Sequence, residues 1–234
     1  MTAYPFTAAD LDALKAWDTP TICNALEVVV PARRTHGFTV RPFQCAFPEM
    51  KPICGLARVG TIRAAFPSGR TKEADRAARI GWYEYVAAAA MPSIVVLQDL
   101  DDVPGTGAFW GEVNSAVHKG LGAEGCVTNG SFRDLDALAP GFQLLGIINP
   151  SHSWVHVVDW ARPVTVHGMA VEHDQVIHAD RHGAVVIPHD CVTKLPAAID
   201  LLTRKEAVIL GMARAPGFDI TKLKDALAKS DEIH

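Results

Sequence analysis

Residues 53–98 read ICGLARVGTIRAAFPSGRTKEADRAARIGWYEYVAAAAMPSIVVLQ, and the reading of this stretch decides the fold. Residues 53–66 alternate small or apolar side chains with polar ones, the pattern of a strand. Residues 71–90 have helical spacing and a high alanine content, and residues 93–98, SIVVLQ, are a short apolar run suited to a buried strand. Strand, helix and strand in this order predict a right-handed crossover on a parallel sheet.

Toward the C-terminus, the loop DLDDVPGTGAFW leads to a helix over residues 111–121 and a strand over 125–128. A tight turn at Asn129 and Gly130 then leads into Ser131, Phe132, Arg133 and Asp134, giving a second crossover. Beyond Gly141 the texture becomes β-rich, with FQLLGII, WVHVVDW, RPVTVHG, QVIHAD and GAVVIP as short strands. Helices return over residues 190–212 and 219–229, the last polar enough to lie on the surface or against a partner subunit. Toward the N-terminus, Thr7 caps a helix over residues 8–17, Asp18-Thr19-Pro20 starts a second, and residues 33–52 read as loop with short strands. No repeat, low-complexity tract or linker divides the chain.

The 234 residues are 49% hydrophobic and 21% charged, enough for a sizeable core. A formal charge of −4 offers no basic field for a phosphate backbone, so direct nucleic-acid binding is not expected. The cysteines, five in number, form no C-x-x-C pair, and no export or membrane segment is visible; a reduced, cytoplasmic protein is the expectation. Gly105 and Gly107 lie too far from the preceding strand for a dinucleotide fingerprint, and a loop needing positive φ is the better reading.

The chemistry-bearing segments are Gly111-Glu112-Val113-Asn114 at a helix start and LGAEGCVTNGSFRD over residues 121–134. The first offers free backbone N–H groups and the positive end of a helix dipole, suited to a carboxylate. In the second, Arg133 can grip a substrate carboxylate in bidentate fashion, and Asp134 can hold a hard divalent cation.

This long pattern resembles the RraA-like family, which includes 4-hydroxy-4-methyl-2-oxoglutarate aldolases and regulators of ribonuclease activity. The resemblance extends from DTPTICNALE near Asp18 to VIHADRHGAVVIP and RKEAVIL. It implies an α/β fold of the swivelling β/β/α, phosphohistidine-domain-like type, with residues 1–234 as a single domain carrying N-terminal and C-terminal helical extensions. It also implies a homotrimer or homohexamer with active sites between subunits. Asp134 would be the ligand of Mg²⁺, Mn²⁺ or another divalent metal. Arg133 would clamp the pyruvyl carboxylate, and Gly111 and the backbone amides of Val113 and Asn114 would receive substrate oxygens. Glu112 would orient a metal-bound water, and Glu206 would be either the acidic residue that the family supplies from the neighbouring subunit or an exposed helix glutamate. Two departures stand out: Asn129 replaces the aspartate of the common D-G-x-x-R-D, and Asn114 stands where an apolar residue is common.

The resemblance thus implies a metal-dependent lyase that cleaves 4-hydroxy-2-oxo acids to pyruvate and shares its enolate with oxaloacetate decarboxylation, a water relayed through Glu112 serving as base or acid. A Schiff-base aldolase would instead use Lys119 or Lys194. A non-catalytic, ribonuclease-regulator-like protein-binding role is the reading from another class. Of the ten histidines, His152, His156, His167, His173, His178, His182 and His189 crowd one stretch. Their strand and turn surroundings point to core, surface or subunit-contact roles rather than a zinc site.

Overall fold

The structure, a computed structural model, describes residues 4–234. Residues 1–3, the start of the segment scanned for an export signal, lie outside it. In chain order the elements are α1 (Ala8–Leu14), α2 (Thr19–Val29), β1 (Gln44–Cys45), β2 (Ile53–Arg63), α3 (Lys72–Ala87), β3 (Ser93–Asp99), β4 (Ala108–Trp110), α4 (Glu112–Gly120) and β5 (Ala123–Phe132). They continue with β6 (Gln143–Ile148), β7 (His156–Trp160), β8 (Val164–Val166), β9 (Met169–Val171), β10 (Val176–Asp180), β11 (Gly183–Ile187), α5 (Leu195–Ala213) and α6 (Ile220–Asp231).

The expected crossover is present: β2 and β3 pair in parallel, joined through α3. The main sheet runs β1-β6-β5-β3-β2-β10-β11, with β4 on β5 and β7 on β2, and β8 and β9 form a separate small sheet. Alternation along the strands sorts the core into layers. Ile94 and Val96 of β3 pack with Val164, Val166, Met169 and Val171 of the small sheet, whereas Val95 and Leu97 point to the side of Trp82 and Val86 on α3. The result is a β/β/α stack, the α/β class expected. A third cluster joins α1, α2 and α5 to Leu56, Val176 and Ile187. Trp82, Trp110, Phe132 and Phe142 are fully enclosed, and burial of each such side chain stabilises the fold by roughly 1.5–3 kcal/mol.

Local chemistry explains the helix starts. Thr7 and Asp10 form a reciprocal capping box on α1, and Asp18 and Thr71 cap α2 and α3. Several expectations need correction. α1 stops at Leu14, short of residue 17, and Lys15 turns aside to bond Glu124 at 2.5 Å. The segment after Pro188 begins as a 3-10 turn over His189–Lys194, and regular α-helix starts only at Leu195, just before Pro196.

The main correction concerns Asn129 and Gly130, which make no turn; β5 runs unbroken through both. β3 pairs residue by residue with β5 only as far as Leu97 and Thr128, and the Asn129 side chain then extends the ladder. Its amide oxygen accepts from the Asp99 N–H at 2.8 Å while its amide nitrogen donates to the Asp99 carbonyl at 2.9 Å. A side chain that mimics a peptide unit keeps the strand straight where the dipeptide suggested a reversal. The irregularity appears instead as a register shift against β6 between Val127 and Ser131.

All five cysteines are unpaired. Among the described residues no helix is long and apolar enough to cross a membrane.

Candidate active site

β4 is the element that assembles the site. Buried throughout, it runs parallel to the end of β5, Ala108 beside Ser131 and Trp110 beside Phe132 with a register shift between them, and the Arg133 N–H donates to the Trp110 carbonyl at 3.0 Å. Residues 111 and 133–134, distant in sequence, therefore emerge from adjacent strands. A three-residue strand is too short to show a periodicity, so β4 is not visible before folding.

Gly111 is extended and is the N-cap of α4, with no side-chain cap. Space, not φ, requires glycine here, since a Cβ would lie 2.5 Å from Asp134 Oδ2. That carboxylate oxygen instead accepts from the Glu112 N–H at 3.3 Å and lies 3.5 Å from Arg133 Nε. The first intrahelical bond of α4 runs from Ser115 to Gly111, so the N–H groups of Val113 and Asn114 have no acceptor within the helix. Asp134 adopts a left-handed conformation, φ +57°, unusual for a residue with a side chain.

The side chains around this start are fixed. Asn114 donates to the Phe109 carbonyl at 2.6 Å and accepts from the Tyr83 hydroxyl at 2.9 Å, tying α4 to β4 and α3. Its departure from an apolar residue thus has a structural use and leaves the backbone donor in place. One turn on, buried His118 donates from Nδ1 to the Asn114 carbonyl and accepts the Trp82 indole N–H at 2.8 Å. Burial lowers its pKa to about 4, so it is neutral.

Gly111, Glu112, Val113, Asn114, Arg133 and Asp134 together line a cavity of about 150 Å³. Phe109 and Val155 add apolar walls, and His152 lines it as well, a residue the sequence reading had grouped with the structural histidines. The available signal was its setting, Asn-Pro-Ser-His-Ser, a loop after a parallel strand, where ligand-binding groups of such sheets gather. Two other histidines fit the structural reading: His178 accepts the Thr19 hydroxyl and donates to the Leu14 carbonyl, and His167 bonds the Thr128 carbonyl.

The remaining candidates lie elsewhere in the chain. Glu206 is exposed on α5, outside the cavity. Exposed Lys119 donates to the Pro140 carbonyl and exposed Lys194 pairs with Asp190 at 3.2 Å; neither lines the cavity. No group of three or more His, Cys, Asp or Glu side chains able to hold a metal occurs among the described residues. The donor set at Asp134 suits a different arrangement. One half-exposed carboxylate beside open space would hold a hard cation by an oxygen, and the cation would supply positive charge to the oxygens of a 2-oxo acid in the cavity.

A family model described as RraA-like, Aldolase/RraA, matches residues 19–186. The chain belongs to the RraA-like family. Among solved structures, this RraA-like chain is similar to an uncharacterized protein from Pseudomonas syringae pv. tomato, with 16% identity, 98% of each chain covered and a TM-score of 0.71. It is also similar to a protein described among novel cellulases from gut-associated microbes, with 13% identity, 88% and 89% covered and a TM-score of 0.70. A third is RraAS2 from Streptomyces coelicolor, an unusual member of the RNase ES inhibitor RraA protein family, with 19% identity, 88% and 98% covered and a TM-score of 0.66. At these identities the likeness is one of RraA-like fold. No curated protein matches the chain.

Proposed function

We propose that the protein is a divalent-metal-dependent carbon–carbon lyase that cleaves 4-hydroxy-2-oxo acids to pyruvate and a carbonyl product, and that it also decarboxylates oxaloacetate. One observation carries the reading: Arg133 and Asp134 at the end of β5 share a cavity with the free first-turn amides of α4. Arg133 binds the carboxylate next to the oxo group, and the N–H groups of Val113 and Asn114 donate to the oxygens on which negative charge develops as the bond breaks. A divalent cation bound by Asp134, Mg²⁺ or Mn²⁺ for instance, supplies further positive charge to the same oxygens. Glu112 orients water at the mouth.

Substrate size and charge are consistent with the surroundings. The cavity suits a pyruvyl unit, and past Val113 and Asn114 it meets a larger groove of about 560 Å³ lined by Lys72, Arg76 and Arg79, to which a remote carboxylate is attracted. Arg70 also lines this groove but is held by Asp75 at 2.8 Å.

We place the protein in the cytoplasm, as a homotrimer or homohexamer. Phe66, Val103, Val113, Leu135 and Trp154 are exposed apolar side chains that association with a second copy would remove from water. The test of function is pyruvate release from 4-hydroxy-4-methyl-2-oxoglutarate and from oxaloacetate, abolished by EDTA and restored by Mg²⁺. No release from either substrate refutes the proposal. Turnover that survives EDTA and is trapped by borohydride would move the chemistry to a lysine.

A further inference from the structure

The cavity contains a nitrogen base that the reading above leaves unused. His152 lines it together with Arg133, Asp134 and Glu112, and no hydrogen bond or ion pair joins the imidazole to those three among the described residues. The backbone around it is held in place. Asn149 donates to the carbonyls of Gly105 at 2.6 Å and Thr106 at 3.1 Å and accepts from the Ser151 N–H at 3.0 Å. Ser151 accepts the Ala108 N–H through its carbonyl at 2.8 Å and the Ser153 N–H through its hydroxyl at 3.0 Å. Ser153 in turn donates its hydroxyl to the Ala64 carbonyl at 2.9 Å.

Ser153 sits at φ +46°, a left-handed conformation unfavourable for a residue with a side chain, and these bonds hold it there. A strained, over-determined residue next to a histidine in a cavity is the arrangement of a positioned group. The ring's protonation pattern follows from its partner. Nδ1 lies 2.7 Å from the Ser153 carbonyl, which can only accept, so Nδ1 carries the hydrogen and the neutral ring leaves Nε2 with a free lone pair. By contrast, His118 has both ring nitrogens engaged and its ring buried, so it is closed to substrate.

We infer that His152 is the catalytic base of the carbon–carbon cleavage, a role that rests on the lyase reading above. Nε2 takes the proton of the substrate's 4-hydroxyl group. The O–H electron pair becomes the carbonyl of the leaving product, the C3–C4 bond breaks, and its pair becomes the enolate of pyruvate. The imidazolium then returns the proton to the enolate carbon, so pyruvate leaves and the neutral ring is restored. Proton and electrons balance with no further reactant. Arg133, Asp134 and Glu112 are the charged groups lining the cavity with the ring. The base proposed from sequence, a water relayed through Glu112, is not needed for this step.

The two reactions of the site separate this role from a merely structural one. Oxaloacetate loses carbon dioxide with no hydroxyl proton to remove, and water can protonate the resulting enolate. His152→Ala should therefore lower kcat for 4-hydroxy-4-methyl-2-oxoglutarate cleavage by about 100-fold or more, with KM little changed, while oxaloacetate decarboxylation falls by less than about tenfold. Added imidazole should restore part of the lost cleavage in His152→Ala, and His152→Gln should be as impaired as His152→Ala. Cleavage within about threefold of wild type in His152→Ala, or equal losses in both reactions without imidazole rescue, would overturn the assignment. Wild-type protein inert toward both substrates with Mg²⁺ present would overturn the lyase reading itself, and the role of His152 with it.

Discussion

Asp134 is the residue on which the proposed chemistry turns, and its geometry makes distinct predictions for its neighbours. Asp134→Ala removes the oxygen proposed to hold the cation and is expected to abolish Mg²⁺-dependent pyruvate release, with an unchanged far-UV circular dichroism spectrum. Arg133→Ala should chiefly raise KM, by about 10–100-fold, as loss of a charge-assisted carboxylate contact does. Gly111→Ala is a steric test, since the new Cβ would stand 2.5 Å from Asp134 Oδ2 and displace that carboxylate. Its activity should fall at least about tenfold while the fold persists, because the only atom closer than 3.0 Å to the new Cβ is the end of the Asp134 side chain. The pairing of arginine and aspartate was legible in the sequence, as was the helix start that faces it. His152 was not, because a loop histidine has no periodic pattern, and only folding brings residue 152 to residue 134.

Between elements, side-chain amides and imidazoles do much of the joining. Asn129 stitches β5 to the end of β3 by two bonds to the Asp99 backbone, a part that the dipeptide Asn-Gly hides behind its turn propensity. Asn129→Asp, which restores the residue common in the family, would lose the donor to the Asp99 carbonyl and set two acceptors against each other. Stability should drop by about 1–3 kcal/mol in urea denaturation, with no gain in activity. β2, α3 and β3 were readable because period and length agree over many residues. β4 and the end of α1 were not, since three residues of strand and one side-chain bond from Lys15 are tertiary events.

Across the whole molecule, two buried histidines contribute to the loss of stability in acid. His118 and His178 both have pKa values lowered to about 4, chiefly by burial, against 6.5 in the unfolded chain. Between those limits the unfolded state binds more protons, so stability is full above about pH 6.5 and is lost as pH falls toward 4. Each contributes roughly 3 kcal/mol to that loss, at about 1.4 kcal/mol per pKa unit. Urea midpoints should decline across this window, and His178→Gln should flatten the decline. The same molecule should migrate as a trimer or larger in light scattering, and Trp154→Glu should shift it toward monomer if the exposed apolar side chains form the contact. The layered β/β/α plan was legible from residues 53–98 outward, whereas the proposed assembly would rest on exposed side chains that no linear pattern announces.

The bonds from Asn149 and Ser151 to Gly105, Thr106 and Ala108 also set a rule for redesign. Residues 105–114 and 149–155 brace each other, but they also lean on the end of β5 and on the Ala64 carbonyl. A graft must therefore carry those partners with the two segments; moved singly, either segment would arrive with its backbone partners missing.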